Sequence, residues 1–382
     1  MKAKIKVLML VLSILMLGVN LCPKTPVKAQ NLELLSPYEA MVTIEANSGC
    51  VLYSYNEHEQ RAMASTTKIA TAIVAIENCN DLDTKFRVSD KAIGIEGTSI
   101  YLKEGECLSM RELLYGLILA SGNDCAVAIA EYFGSEEEFV GMMNELVSKL
   151  GLQNTHFDNP HGLDSDTHYT SAYDLAMITA YALKNPIFRE IVATKKMVIE
   201  PTEIYQARYL KHKNRLLFDN ENCIGVKTGF TDDAGRCLVN AHEENGMQII
   251  SVVLNCTTMF EECALLTKLS LQNYTMKEFV KPYNFVSKVD IQSSNKNEIG
   301  VITIEGYSRP ILKTEEDKYS VVYDIPKSLK APIELNQAVG SVKVLYEDEV
   351  IFSSSLITIE SADNNDLKYL MDNIIRPITI IS

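Results

Sequence analysis

Ala64-Ser65-Thr66-Thr67-Lys68-Ile69-Ala70-Thr71-Ala72-Ile73-Val74 is the stretch on which the reading of this chain turns. Its apolar residues continue to Ile76, so the spacing predicts a helix opened by Ser65 and Lys68. Residues three apart on a helix share a face. The serine and the lysine are therefore expected side by side at the helix start. A serine hydroxyl is a weak nucleophile until a base takes its proton, and a neutral lysine amine can be that base. Ser-x-x-Lys alone arises by chance in many helices. The pair gains meaning only if other segments supply a proton relay, a substrate anchor and donors for an oxyanion.

Two triplets answer that need. Ser121-Gly122-Asn123 follows the apolar run from Met110 to Leu119 at a break. It offers a hydroxyl and an amide with almost no bulk between them. Read alone, Ser121 and Asn123 would be helix-capping residues. Lys227-Thr228-Gly229 sits in a strand pattern that begins at Ile224. It offers a cation, a hydroxyl and a residue without a side chain, so a substrate can lie along the strand edge. Read alone, Lys227 would be a solvated strand lysine. Together, in this order and on these elements, the three motifs are a strong signal.

The set resembles that of the low-molecular-mass penicillin-binding proteins, which are serine-type D-alanyl-D-alanine carboxypeptidases. Asn159-Pro160-His161-Gly162-Leu163-Asp164 and Thr231-Asp232-Asp233-Ala234-Gly235 also look like segments of that family. Cys223-Ile224 departs from it, because many relatives carry an acidic residue there. The resemblance implies Ser65 as the nucleophile that forms an acyl-enzyme, Lys68 as its base and Ser121 as the relay to the leaving D-alanine. It implies Asn123 as the residue that holds the peptide amide and orients Lys68. Lys227 and Thr228 would bind the terminal carboxylate beside Gly229. The backbone N–H groups of Ser65 and Phe230 would form the oxyanion hole. It further implies peptidoglycan stem peptides as substrate, β-lactams as covalent inhibitors, and no cofactor.

The alternatives are a β-lactamase and an inactive wall-binding scaffold. Fast hydrolysis of an acylated antibiotic needs an extra base, and no Glu-x-x-x-Asn element occurs between residues 124 and 226. Intact Ser65, Lys68, Ser121, Asn123 and Lys227 argue against the scaffold.

Patterning along the chain gives the fold class. Ala40 to Glu45 and Val51 to Tyr55 read as a hairpin around Asn47-Ser48-Gly49. Helical patterns follow at Cys125–Phe133, Glu136–Leu150 and Ser171–Leu183. Strands then recur at Arg236–His242 and Met247–Leu254, and a helix is expected from Phe260 to Phe279. The order predicts an α+β fold, an antiparallel sheet flanked by helices, rather than a doubly wound parallel sheet. Beyond Pro282 strand patterns take over, which predicts a small all-β domain at residues 283–361 after the enzyme domain at 30–282.

Both ends carry further signals. Met1 to Lys6 is basic, Val7 to Val19 is apolar, and Val27-Lys28-Ala29 is a small-x-small site, so residues 1–29 read as a secretory signal peptide. Residues 362–382 carry a one-sided apolar stripe through Leu367, Leu370, Met371, Ile374, Ile375 and Ile378. Two readings stand for it, a helix in the membrane surface and a helix docked on the β domain.

Charge narrows the partners. Removing residues 1–29 removes five lysines and no acid, which takes the net charge from −14 to −19. So acidic a chain argues against nucleic acid as partner. The nine cysteines form no Cys-x-x-Cys pair, and Cys125 and Cys237 lie in apolar runs as small buried residues. His156, His161 and His168 lie near Asp158, Asp164 and Asp166, but the spacing fits no zinc pattern. They read as hydrogen-bonding loop residues, with no metal site.

Overall fold

The computed structural model describes residues 27–28 and 38–365. Most of the expected signal peptide, and the apolar stripe of the tail, lie outside the described residues. The chain forms two compact units that divide between Asn273 and Tyr274.

The first unit contains, in chain order, β1 (Ala40–Glu45), β2 (Cys50–Tyr55), α1 (Lys68–Asn78), α2 (Met110–Tyr115), α3 (Asn123–Tyr132), α4 (Glu136–Lys149), α5 (Ala172–Ala182), α6 (Pro186–Ala193), β3 (Cys223–Thr231), β4 (Gly235–Glu244), β5 (Met247–Leu254) and α7 (Met259–Asn273). The sheet order is β2-β1-β5-β4-β3, and every neighbour in it is antiparallel. A two-residue strand, Val27–Lys28, adds to β2 in parallel. The expected antiparallel sheet with helices on it is therefore present.

The β1–β2 turn is locked by a buried carboxylate. Glu45 accepts from the Ser48 backbone N–H at 2.9 Å and from the Ser48 hydroxyl at 2.7 Å. Helix α1 is buried on all sides from Lys68 to Ile76. A helix that is apolar all round belongs in the middle of a domain, and α1 runs through the main core with Ile69, Ile73, Leu113, Ile129 and Val252. That burial puts Lys68 where water cannot solvate it.

Three local expectations change. The helix expected to run to Phe279 ends at Asn273, and Tyr274–Val280 is instead a strand (β6), paired antiparallel with Tyr307–Leu312. Its aromatic and β-branched residues suit a pleated surface once a partner strand is present. Helix α6 was not foreseen; Asn185 caps it with its side-chain oxygen and Pro186 opens it. The hairpin of Lys196–Ile199 with Arg208–Lys211 was also missed.

The second unit is all-β. Besides β6 it has β7 (Phe285–Gln292), β8 (Glu298–Thr303), β9 (Tyr307–Leu312), β10 (Tyr319–Asp324), β11 (Ser328–Lys330), β12 (Ala338–Tyr346) and β13 (Glu349–Thr358). Six of these form a sheet in the order β10-β12-β13-β8-β7-β11. Its core holds Val289, Ile299, Val301, Val342, Val344 and Leu356. The rings of Tyr307 and Phe352 stack at 4.5 Å between centroids.

Candidate active site

Ser65 does not sit on the α-helix itself. Ala64–Thr67 forms a single 3-10 turn that runs into α1, and Lys68 is the first α-helical residue. Thr66 Oγ1 donates to the Met63 carbonyl at 2.6 Å, and Thr67 Oγ1 donates to the Ala64 carbonyl at 2.9 Å. Hydroxyls of this kind compete with the helix for backbone groups. Here they hold the tight turn and leave Ser65 facing a cleft of about 430 Å³.

The wiring of Lys68 decides what that serine can do. Its Nζ lies 2.8 Å from Ser65 Oγ, 2.7 Å from Asn123 Oδ1 and 2.5 Å from the His161 carbonyl oxygen. The Asn123 amide is oriented by its other end, since Nδ2 donates to the Glu96 carbonyl at 2.6 Å. Two of the three partners of Lys68 are thus oxygens that can only accept. A neutral amine has two N–H groups and one lone pair. The carbonyls take both N–H groups, so the lone pair is left for the Ser65 hydroxyl. Burial pushes the Lys68 pKa down to about 7; Cys125 and Asp124 oppose that shift, while the Lys213 charge adds to it. Near neutral pH a large share of the amine is therefore the free base.

Ser121 reaches the cleft through an irregular helix. The apolar run from Met110 to Leu119 is α2 followed by a π-type turn at Gly116–Ala120, after which Ser121 takes a left-handed conformation with φ 67°. Such turns and such backbone angles cluster at functional sites. α3 then starts at Asn123, so the Ser121 hydroxyl and the Asn123 amide sit at the junction of two helical segments.

On the other wall, Lys227 is fully buried on β3, the outermost strand on its side of the sheet among the described residues. Its Nζ donates to Ser121 Oγ at 2.9 Å and to the Thr228 carbonyl at 2.7 Å. Burial drives its pKa well down, helped by Lys68 and Lys213. Among the described residues no carboxylate pairs with it. Gly229 explains the close approach of this strand. A Cβ there would lie 2.9 Å from the Met63 carbonyl oxygen and 3.1 Å from the Ser65 nitrogen. Thr228, Gly229 and Phe230 line the cleft beside Ser65 and Ser121. Cys223, the departure noted in the sequence, is buried and donates to the Gly225 carbonyl at 3.4 Å; burial raises its thiol pKa to about 11.

The Asn159–Asp164 segment packs beneath the nucleophile turn. His161 supplies the carbonyl that holds Lys68, and the Pro160 carbonyl accepts from Thr71 Oγ1 at 2.6 Å. Gly162 has φ 89°, and a Cβ there would lie 2.0 Å from the Ala64 carbonyl oxygen. Gly162→Ala is expected to lose about 2–4 kcal/mol of stability through left-handed strain plus this clash; the urea midpoint measures it. His168 Nδ1 accepts from the Asp158 N–H at 3.0 Å, so its Nε2 carries the proton toward Thr67 Oγ1 at 2.8 Å. Burial lowers the His168 pKa to about 4 and the His161 pKa to about 3, which keeps both neutral. The two inner histidines thus buttress the turn, and His156 bonds the Thr167 carbonyl at 2.9 Å.

All eight residues singled out in the sequence meet at this cleft or in the wiring behind it. Sequence reasoning missed Thr98, Lys213, Arg236, Met259 and Phe260, which also line it. Lys213 lies 3.4 Å from Thr98 Oγ1, and burial lowers its pKa. It follows a hairpin that is pinned by the buried Arg208–Glu106 ion pair at 2.7 Å. Only that long-range pairing brings it to the cleft, so no local pattern marks it.

Comparison with known proteins agrees with this geometry. A family described as D-alanyl-D-alanine carboxypeptidase matches residues 28–258, and one described as the C-terminal domain of penicillin-binding protein 5 matches residues 274–363. The chain is 34% identical over 333 residues to the D-alanyl-D-alanine carboxypeptidase DacF of Bacillus subtilis, covering 84% of this chain and 85% of that protein. It is 33% identical to DacA of Escherichia coli over 84% of this chain and 83% of the relative. Penicillin-binding protein 5 from Haemophilus influenzae superposes with a TM-score of 0.73 at 26% identity, over 87% of this chain and 100% of that one. These matches, over a cleft in which Ser65 and Lys68 stand 2.8 Å apart, identify the chain as a member of the serine-type D-alanyl-D-alanine carboxypeptidase family, a penicillin-binding hydrolase.

Proposed function

We propose that the chain removes the terminal D-alanine from peptidoglycan stem pentapeptides through an acyl-enzyme on Ser65. The observation that carries this is the buried Lys68 amine, which stands 2.8 Å from Ser65 Oγ while Asn123 Oδ1 and the His161 carbonyl oxygen, both acceptors, lie at 2.7 and 2.5 Å. Ser65 Oγ attacks the carbonyl carbon of the penultimate D-alanine, and its proton passes to Lys68. The carbonyl oxygen becomes an anion stabilised by the N–H groups of Ser65 and Phe230. The C–N bond then breaks, and the leaving nitrogen takes a proton through Ser121. Water hydrolyses the ester and restores the serine. Asn123 orients Lys68 and holds the peptide amide.

Exo-cleavage follows from the cations. Lys227 and Lys213 have no described carboxylate partner, and Thr228 stands beside them. A substrate ending in a free carboxylate supplies the missing charge. The predicted signal peptide supports a site of action outside the cytoplasm, where stem peptides are exposed. A β-lactam offers the same electrophilic carbonyl with a leaving group that stays tethered. Among the described residues no carboxylate hydrogen-bonds to Ser65 or Lys68, which disfavours a glutamate-assisted β-lactamase.

The test is release of D-alanine from an acylated tripeptide ending in D-Ala-D-Ala, compared with the same peptide amidated at its C-terminus. Amidation leaves Lys227 buried and unpaired, and it is expected to lower kcat/KM by about 10²–10³. Equal turnover of both peptides would contradict the carboxylate anchor.

A further inference from the structure

We infer that Arg236 forms a second anion subsite, which reads a carboxylate on the acyl side of the scissile bond. The inference rests on the carboxypeptidase reading and adds a substrate preference to it. With the terminal carboxylate at Lys227 and Thr228 and the scissile carbonyl at Ser65, the acyl part of the substrate must leave along β3 past Phe230. Arg236 stands opposite Phe230 in the β3–β4 register. Lys227 and Phe230 are three residues apart, roughly 10 Å along a strand. That separation suits a second acid two or three residues before the C-terminus.

The arginine is built for a ligand rather than for the surface. Its guanidinium lies over the Phe230 ring at 5.7 Å from the centroid, which pre-orients it. It lines the cleft with Met259 and Phe260, which offer apolar contact to an aliphatic side chain. It pairs with no carboxylate among the described residues, although the chain carries a net charge of −14. Arg215, on the Phe260 ring at 4.6 Å, is by contrast paired with Glu261. A cleft cation left unpaired in so acidic a protein calls for an anionic partner from outside.

The experiment uses acetyl-X-D-Ala-D-Ala, with X as L-2-aminoadipic acid, its side-chain amide or L-lysine. The mature protein should favour the acid over the amide by roughly fivefold in kcat/KM, the range of a solvent-accessible ion pair. The preference should lie in KM, because ground state and transition state gain it alike, and it should fade as salt rises. R236Q should bring the acid-to-amide ratio close to one, and R236K should keep part of it. A wild-type ratio near one, or a ratio unchanged in R236Q, would overturn the inference and leave the carboxypeptidase reading intact. Absence of D-alanine release from all three peptides would overturn both.

Discussion

Ser65→Ala is expected to lower D-alanine release by at least about 10⁴-fold and to abolish the stable adduct with a fluorescent penicillin. Both reactions need the same oxygen. No other described hydroxyl lies within hydrogen-bond reach of the Lys68 amine. The variant should still fold. Ser65 is half-buried, and the turn it occupies is held by the hydroxyls of Thr66 and Thr67 rather than by its own. A melting temperature within a few degrees of wild type, together with lost activity, separates chemistry from folding. A residual adduct in this variant would assign the nucleophile elsewhere.

Lys68→Met is expected to cost about 10²–10⁴ in acylation rate, the usual range for a positioned general base. Methionine keeps the apolar stem and removes the lone pair. It also leaves Asn123 Oδ1 and the His161 carbonyl without their shared donor, which costs about 1–3 kcal/mol of stability. The pH profile adds a sign. Only the neutral amine can accept the Ser65 proton, so acylation should rise as pH increases through the lowered pKa of about 7. An amine at its ordinary value near 10.4 would keep the rate low across the neutral range. Stopped-flow acylation by a chromogenic cephalosporin between pH 5 and 9 reads the limb. It should be present in the wild type and absent in Lys68→Met.

Most of this site was legible in the sequence because its chemistry sits in short motifs. Ser65 and Lys68 lie one helical turn apart. Asn123 follows Ser121 directly, and Lys227 to Phe230 are consecutive. What spacing could not show was how these parts are held. The π-type turn before Ser121 is a backbone rearrangement inside an apolar run that reads as plain helix. The His161 contribution is a backbone carbonyl, which no side-chain pattern marks. Lys213 reaches the cleft through a hairpin anchored by Arg208 and Glu106, far apart in the chain. The fold shows the same division. The β1–β2 hairpin and the β4–β5 pair announced themselves through alternation around polar turns. The strand at Tyr274–Val280 did not, because its pairing with β9 is set by a segment downstream and its residues also fit the end of a helix.

The most direct test of the account is to incubate the mature protein with benzylpenicillin, digest it and locate the added mass by tandem mass spectrometry. The expected result is a single penicilloyl group on Ser65, in the peptide that also carries Lys68, formed more slowly while a saturating D-Ala-D-Ala peptide is present. An adduct on any other residue, or none while D-alanine release continues, would contradict it.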